Sequence, residues 1–481
     1  MLLPLVLCLA GCWWAVERWN WPEWLFLPAV LLCYALARGR WKNHVLLLFS
    51  LLFYAAGEPV YIVLLLFTAA VDYALALVVE RYAGKRRARA ALVLALVSNL
   101  LMLAFFKYAD FLIGAVNGLL GTRIPLLRIP LPVGISFFTF QTMSYVIDVY
   151  RREVPVERNV LTLTTYVSLF PQLIAGPIVR YQTVADELHE RSHSLELTAS
   201  GVQRFILGLG KKVLLANLLG EICAAYRASA DPSVLYGWLY AVAFMLQIYF
   251  DFSGYSDMAV GLGRIFGFHF PENFNYPYIA RSITDFWRRW HITLSTWFRD
   301  YVYIPLGGNR VNRWRWVRNL LVVWLLTGLW HGAAWNFLLW GGFFGVLLLV
   351  EKLLLRGGER RVWAPLGHAC VLLCVLLSFV VFNADGLSGA AQDLGALFGA
   401  GGLPLSSVEA VYELRSGAVL LLVAALGATP LPKRLFDRFA ATRAGRAVCP
   451  LAVPALLLVL LLLSTAYLVD GSFNPFLYFR F

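Results

Sequence analysis

The chain predicts an all-α, polytopic integral membrane protein, and three observations carry that expectation. Of its 481 residues, 60% are hydrophobic and 15% aromatic, a balance too apolar for a soluble enzyme. The apolar residues fall in runs close to the ~20 residues a helix needs to cross a bilayer. The net charge of +13 comes from short basic clusters between those runs. That pattern matches the Lys/Arg bias of cytoplasmic loops and argues against nucleic-acid binding.

The apolar windows in the first third are Trp24–Ala37, His44–Ala56, Val60–Val79, Ala91–Phe106, the short Phe111–Leu120, and Gly134–Val149. Arg38, Arg40 and Lys42 follow the first, and Arg81 with Lys85, Arg86, Arg87 and Arg89 follows the third. Both basic loops are expected on the cytoplasmic side, and Gly57-Glu58-Pro59 on the other. Residues 1–20 are expected to be an extra hydrophobic leader or short membrane segment. Their Leu9-Ala10-Gly11-Cys12 imitates a lipobox, but no basic n-region precedes it.

Tyr166–Ile178 is apolar but interrupted by Pro171, Gly176 and Pro177. It predicts a broken, re-entrant element, because irregular backbone survives at membrane depth only under cover of protein or a water-lined cavity. The polar Arg180–Ser200 segment is expected along the cytoplasmic surface. Its His189 and His193 have i,i+4 metal-pair spacing, although a solvated face explains them better. Phe205–Ala225, Leu235–Phe252 and Met258–Phe268 continue the series. The last two are separated by a break expected at Gly254, flanked by Asp251 and Asp257. Buried acids at such a place suit either a cation site or ion pairs with the arginines of the next stretch.

That next stretch, Arg281–Phe337, is the chemical centre. Arg281–Arg318 carries eight Arg, no Lys and two acids, Asp285 and Asp300, and so reads as interfacial or re-entrant. His291 and His331 bracket an apolar run. Ionisable groups at membrane depth usually mark a site, and a buried neutral imidazole is a usable general base. Gly332 lets another group approach His331 closely, and Trp330 and Trp335 can wall a pocket. Leu320–Trp330, Phe337–Val350, Trp363–Phe382, Ala418–Leu426 and Val453–Val469 complete about 11–13 membrane helices. Ala384–Ser407, rich in small residues, is expected as a connector. The seven cysteines lie in or beside apolar runs without Cys-x-x-Cys spacing, so neither disulfides nor a metal site is expected.

LPVGISFFTFQTMSYVIDVYR, LFPQLIAGPIVR, IYFDFSGYSDMAVGLGRIFGFHFPENFNYPY, FWRRWHITLSTWFRDYVYIPLGGNR and TGLWHGAAWNFLLWG closely resemble, in order, the membrane-bound O-acyltransferase (MBOAT) family. The similarity is to the bacterial branch that acetylates alginate, peptidoglycan and cellulose. It implies a single MBOAT domain over residues 21–481, with the catalytic core at about 131–350 built around a transmembrane tunnel, in the inner or plasma membrane. It further implies His331 as the catalytic histidine and His291 as a supporting group on the donor side. The donor would be cytoplasmic acetyl-CoA or an acyl-carrier thioester, and no tightly bound cofactor is implied. The acceptor would be an extracytoplasmic polysaccharide, reached through a periplasmic or extracellular partner acetyltransferase. Arg288, Arg289, Arg299, Arg310 and Arg313 suit the CoA phosphates, or equally lipid head groups. The chain departs from the family at Phe344, where relatives often carry a histidine, and at Asn217, where Asp is expected.

Five of the last nine residues are aromatic and only Arg480 is charged, so residues 471–481 want a groove rather than solvent. An interfacial anchor would satisfy them. The tyrosine-containing C-terminus also resembles those of this acyltransferase branch, however, and a phenol can carry an acyl group when a base lies nearby. Tyr478 is therefore a third candidate catalytic residue. D-alanyl transfer to a cell-envelope polymer and a His/Asp ion path in a transporter are the rival functions.

Overall fold

The computed structural model describes residues 25–354, 364–470 and 476–477. The N-terminal leader and Tyr478 lie outside them. Among the described residues all regular structure is helical. Six helices are long and apolar enough to cross a membrane, or seven if the bent pair Val408–Ser416 and Ala418–Gly427 counts as one span. The larger number expected from sequence includes Trp41–Gly57 and Ile135–Arg151, which have 17 residues each. The chain forms two compact units, residues 1–202 with 259–271, and residues 203–258 with 272–481.

In the first unit, Ile62–Arg81 and Arg86–Leu120 are candidate spans. A buried polar triad ties them to the Ile135–Arg151 helix. Asn99 donates to both carboxylate oxygens of Asp72 at 3.0 and 2.8 Å, and Thr142 donates to Asn99 Oδ1 at 3.2 Å. In an apolar interior such groups must find one another, so the triad fixes which faces meet. The interrupted segment is broken as expected. The Val160–Ser168 helix stops, one short turn follows at Phe170–Leu173, and the chain then runs irregularly through Pro177. Side chains answer the freed backbone: Ser50 accepts from the Phe170 N–H at 3.1 Å, and Gln172 donates to the Tyr166 carbonyl at 2.9 Å. His189 and His193 have separate partners, Glu157 at 2.9 Å and Tyr34 at 3.5 Å, so they do not form a metal pair.

The break expected at Gly254 is absent, and one helix runs from Val234 to Ile265. Gly254 serves a crossing instead. A β-carbon there would lie 2.8 Å from the Gly208 carbonyl oxygen, and one at Gly208 would lie 2.6 Å from that of Gly254. Small residues here let two backbones touch, the usual device of packed membrane helices. Among the described residues the flanking acids are ion-paired with Lys and Arg of the neighbouring helix, and no group of His, Cys, Asp and Glu could hold a metal. Asp251 pairs with Lys212, and Asp257 with Lys211 at 2.6 Å and Arg204 at 2.8 Å.

The expected connector also differs. Gly386–Leu397 is a helix, held by a bidentate pair from Arg227 to Asp393 at 2.7 Å on each arm. The final helix begins at Arg443, ten residues before the expected apolar window, and carries Pro450 and Pro454 inside it. Only 6% of its most apolar stretch is buried, so that surface is left for lipid.

The Arg313–His331 and Trp335–Leu354 helices form a tight antiparallel hairpin. Its contact is made by glycine on both sides. A β-carbon at Gly328 would sit 2.3 Å from the Phe337 carbonyl oxygen, and one at Gly341 equally close to that of Trp324. Gly341→Val is expected to spread the hairpin and lower stability by about 1–3 kcal/mol. Thermal unfolding of the detergent-solubilised variant checks this, and an unchanged midpoint would contradict it.

Candidate active site

His331 is the last residue of the hairpin's first helix, and Gly332 leaves it with extended backbone. A β-carbon at 332 would lie 2.1 Å from the Phe337 ring, so glycine is what lets the turn close beside the imidazole. The residue is 7% exposed. Trp330, Trp340 and Phe382 stand edge-on around the ring, with centroids at 4.9, 5.1 and 5.3 Å. Trp335, expected as a wall, is largely exposed, and Trp340 takes that place.

The other candidate shares a wall with it. The His291 ring lies 5.8 Å from the Trp330 indole and 4.7 Å edge-on from Phe252. The two histidines, far apart in sequence, therefore flank one tryptophan. His291 is 1% exposed and has left-handed backbone, φ 44° and ψ 54°, ahead of the Ile292–Phe298 helix. That conformation is uncommon outside glycine and persists where surrounding bonds impose it.

Asn273 imposes it. Its carbonyl accepts from the Ile292 N–H at 3.0 Å. Its side-chain oxygen accepts from Thr293 N–H at 3.3 Å and Thr293 Oγ1 at 2.9 Å, and lies 3.1 Å from His291 Nδ1. A backbone N–H can only donate, so this oxygen is the acceptor, and Nδ1 must carry the imidazole hydrogen. Asn273 Nδ2 is directed to Ser256 at 3.2 Å, consistent with that orientation. Burial lowers the His291 pKa to about 3, which keeps the ring neutral. Its Nε2, with no hydrogen-bond partner among the described residues, then holds a lone pair.

The five expected phosphate ligands divide. Arg289 is paired with Asp285 at 2.8 Å and Arg299 with Asp300 at 2.6 Å. Arg288, Arg310 and Arg313 are exposed. Phe344 is fully buried, packed edge-on against Trp287 and Trp340, and so extends the aromatic lining. Among the described residues no cluster of His, Cys, Asp and Glu could hold a metal. Sequence reasoning missed Asn273, whose only signal is an amide set in the aromatic run FNYPY and its flanks. It also missed Phe252, which nothing separates from ordinary core.

The fold and site thus define a multi-pass helical membrane protein with two buried imidazoles sharing an indole. Residues 128–381 match the model of the membrane-bound O-acyltransferase family, and the chain belongs to that family, a membrane acyltransferase rather than a channel. It is similar to a probable alginate O-acetylase, AlgI, of Azotobacter vinelandii, at 39% identity over 95% of this chain and 98% of the relative. A peptidoglycan O-acetyltransferase of Helicobacter pylori is 34% identical over 79% of each chain. A teichoic acid D-alanyltransferase of Bacillus subtilis is 28% identical over 51% of this chain and 65% of its own.

Two outcomes are expected. Asn273→Ala removes the acceptor that fixes the His291 tautomer, worth about 1–3 kcal/mol when buried. Turnover in membranes should fall about tenfold or more with little change in donor KM, and unchanged turnover would remove Asn273 from the site. Between pH ~6.5 and ~3, residue 291 binds a proton in the unfolded but not the folded chain. Stability should therefore decrease as the pH is lowered through this range, by up to about 1.4 kcal/mol per unit. Thermal melts should show a shallower acid dependence in His291→Gln, and identical profiles would contradict the neutral ring.

Proposed function

We propose that this acyltransferase moves an acetyl group from cytoplasmic acetyl-CoA across the inner membrane for O-acetylation of an extracytoplasmic polysaccharide, with a partner transferase completing delivery. The observation that carries the proposal is the pair of buried imidazoles on Trp330, in a chain whose relatives include polysaccharide O-acetylases. An alginate-like polymer is favoured over peptidoglycan, because the alginate O-acetylase aligns at higher identity over nearly its whole length. The shorter, weaker alignment with the D-alanyltransferase makes D-alanyl transfer the lesser alternative.

In this mechanism His331 is the base. A ring nitrogen of His331 takes the proton of the Tyr478 hydroxyl as the phenolic oxygen attacks the thioester carbonyl. The C–O bond forms, the C–S bond breaks, and the CoA thiolate leaves and regains the proton. The acetyl-tyrosine ester is then attacked by a hydroxyl of the partner or the polymer, which restores the phenol. His291, with Nε2 as acceptor, orients a donor group beside it. The exposed Arg288, Arg310 and Arg313 hold CoA phosphates; Arg289 and Arg299, already paired with carboxylates, contribute less.

His331→Ala should lower acetyl transfer in membranes by about 10²–10⁴-fold, the range of general-base catalysis, while insertion is retained. Tyr478→Phe, which removes one oxygen, should stop polymer acetylation but leave acetyl-CoA binding intact. Acetylation by labelled acetyl-CoA is the measurement. Near-normal activity in the first variant would sink the base assignment, and in the second would leave direct transfer to the acceptor.

A further inference from the structure

The geometry points to the Lys212–Asp251 ion pair as a socket that seats the C-terminal segment by its main chain, on the helical turn that also supports His291. Lys212 and Asp251 side chains are 8% and 4% exposed. One carboxylate oxygen accepts from Lys212 Nζ, and the other accepts the Leu477 N–H at 3.0 Å. The Lys212 ammonium also lies over the Phe476 ring, 4.6 Å from its centroid, and Tyr255 meets that ring edge-on at 4.8 Å. Leu477 itself is buried in the aromatic core of the second unit.

A buried carboxylate that bonds a main-chain N–H recognises backbone, whatever the side chain. The ring before it supplies a cation–π contact. Together they fix the position and register of Phe476 and Leu477, the two residues before Tyr478.

The seat and the imidazole share one turn. Asp251 and Tyr255, four residues apart on one helix face, hold the tail. Phe252 and Ser256, the adjacent stripe, respectively pack on His291 and bond Asn273, which fixes the His291 ring. The tail residue preceding Tyr478 is thus anchored to the turn that lines the candidate active site. Asp251 and Lys212 are positioning residues for the tail. Their effect on acetylation rests on the proposed role of Tyr478, whereas the seat itself does not.

The test uses the full-length chain in membranes and reads two quantities. Disulfide cross-linking of Tyr255→Cys with Phe476→Cys, with the native cysteines replaced, reports the seat. Polymer acetylation from acetyl-CoA, in chains that keep Tyr255 and Phe476, reports its use. Lys212→Met with Asp251→Leu removes the acceptor without leaving a lone buried charge. It should lower both readouts by about tenfold or more, the equivalent of one buried hydrogen bond to a charged group. Lys212→Met with Asp251→Asn, which keeps a carbonyl acceptor, should retain most of both. Leu477→Pro removes the tail's N–H donor together with the buried leucine side chain, leaves the ion pair intact, and should reproduce the losses if the paired variant fails to insert; Leu477→Ala, which keeps the N–H, should retain more cross-linking than Leu477→Pro. Wild-type cross-linking in both the acceptor-less variant and Leu477→Pro would overturn the seat; wild-type acetylation in both, with Tyr478→Phe inactive, would overturn its use in positioning the tail. Tyr478→Phe should cross-link normally. If it also acetylates normally, the tyrosine carrier fails, and the socket is decided by the cross-link alone.

Discussion

Polar groups taken out of water must find one another, and this requirement fixes how the helices pair. Uncompensated, each costs several kcal/mol in a hydrocarbon-like interior. The Asp72, Asn99 and Thr142 triad spans three helices of the first unit. In the second, Asp257 binds Lys211 and Arg204, and Asp393 binds Arg227. Apolar surfaces in lipid slide without much preference, since lipid tails are as apolar as leucine. Directional bonds between scarce polar side chains supply the register that burial alone cannot.

Within that frame the candidate site is unusual in its surroundings. Charged partners are common elsewhere in the second unit, yet His331 and His291 are packed mostly by rings. Edge-on aromatics exclude water while leaving the dielectric low, so that a proton shared between a ring nitrogen and a hydroxyl is not drained to solvent. The glycine contact at 328 and 341 sets where the hairpin ends, and hence where His331 stands.

Much of this was legible in the sequence, for identifiable reasons. The all-helical fold followed from run length, the broken Tyr166–Ile178 segment from proline and glycine, and both histidines from being ionisable in apolar surroundings. The misreadings share one cause. In a chain apolar on nearly every face, periodicity carries little contrast, so Gly254 was read by its local propensity to break helices although a neighbouring backbone required it. Small residues likewise suggested a connector where Arg227 and Asp393 anchor a helix. Ion-pair partners such as Lys212 for Asp251 are properties of tertiary packing. So is Asn273, which has no local mark.

The left-handed backbone at His291 restricts what can replace it. Alanine there loses the imidazole and also keeps a Cβ in a conformation that costs roughly 1 kcal/mol or more outside glycine and asparagine. A dead alanine variant would thus confound lost chemistry with a displaced turn. Asparagine, at ease in that conformation, isolates the ring nitrogens, and glycine isolates the backbone. Position 291 admits a narrow alphabet before any question of catalysis arises.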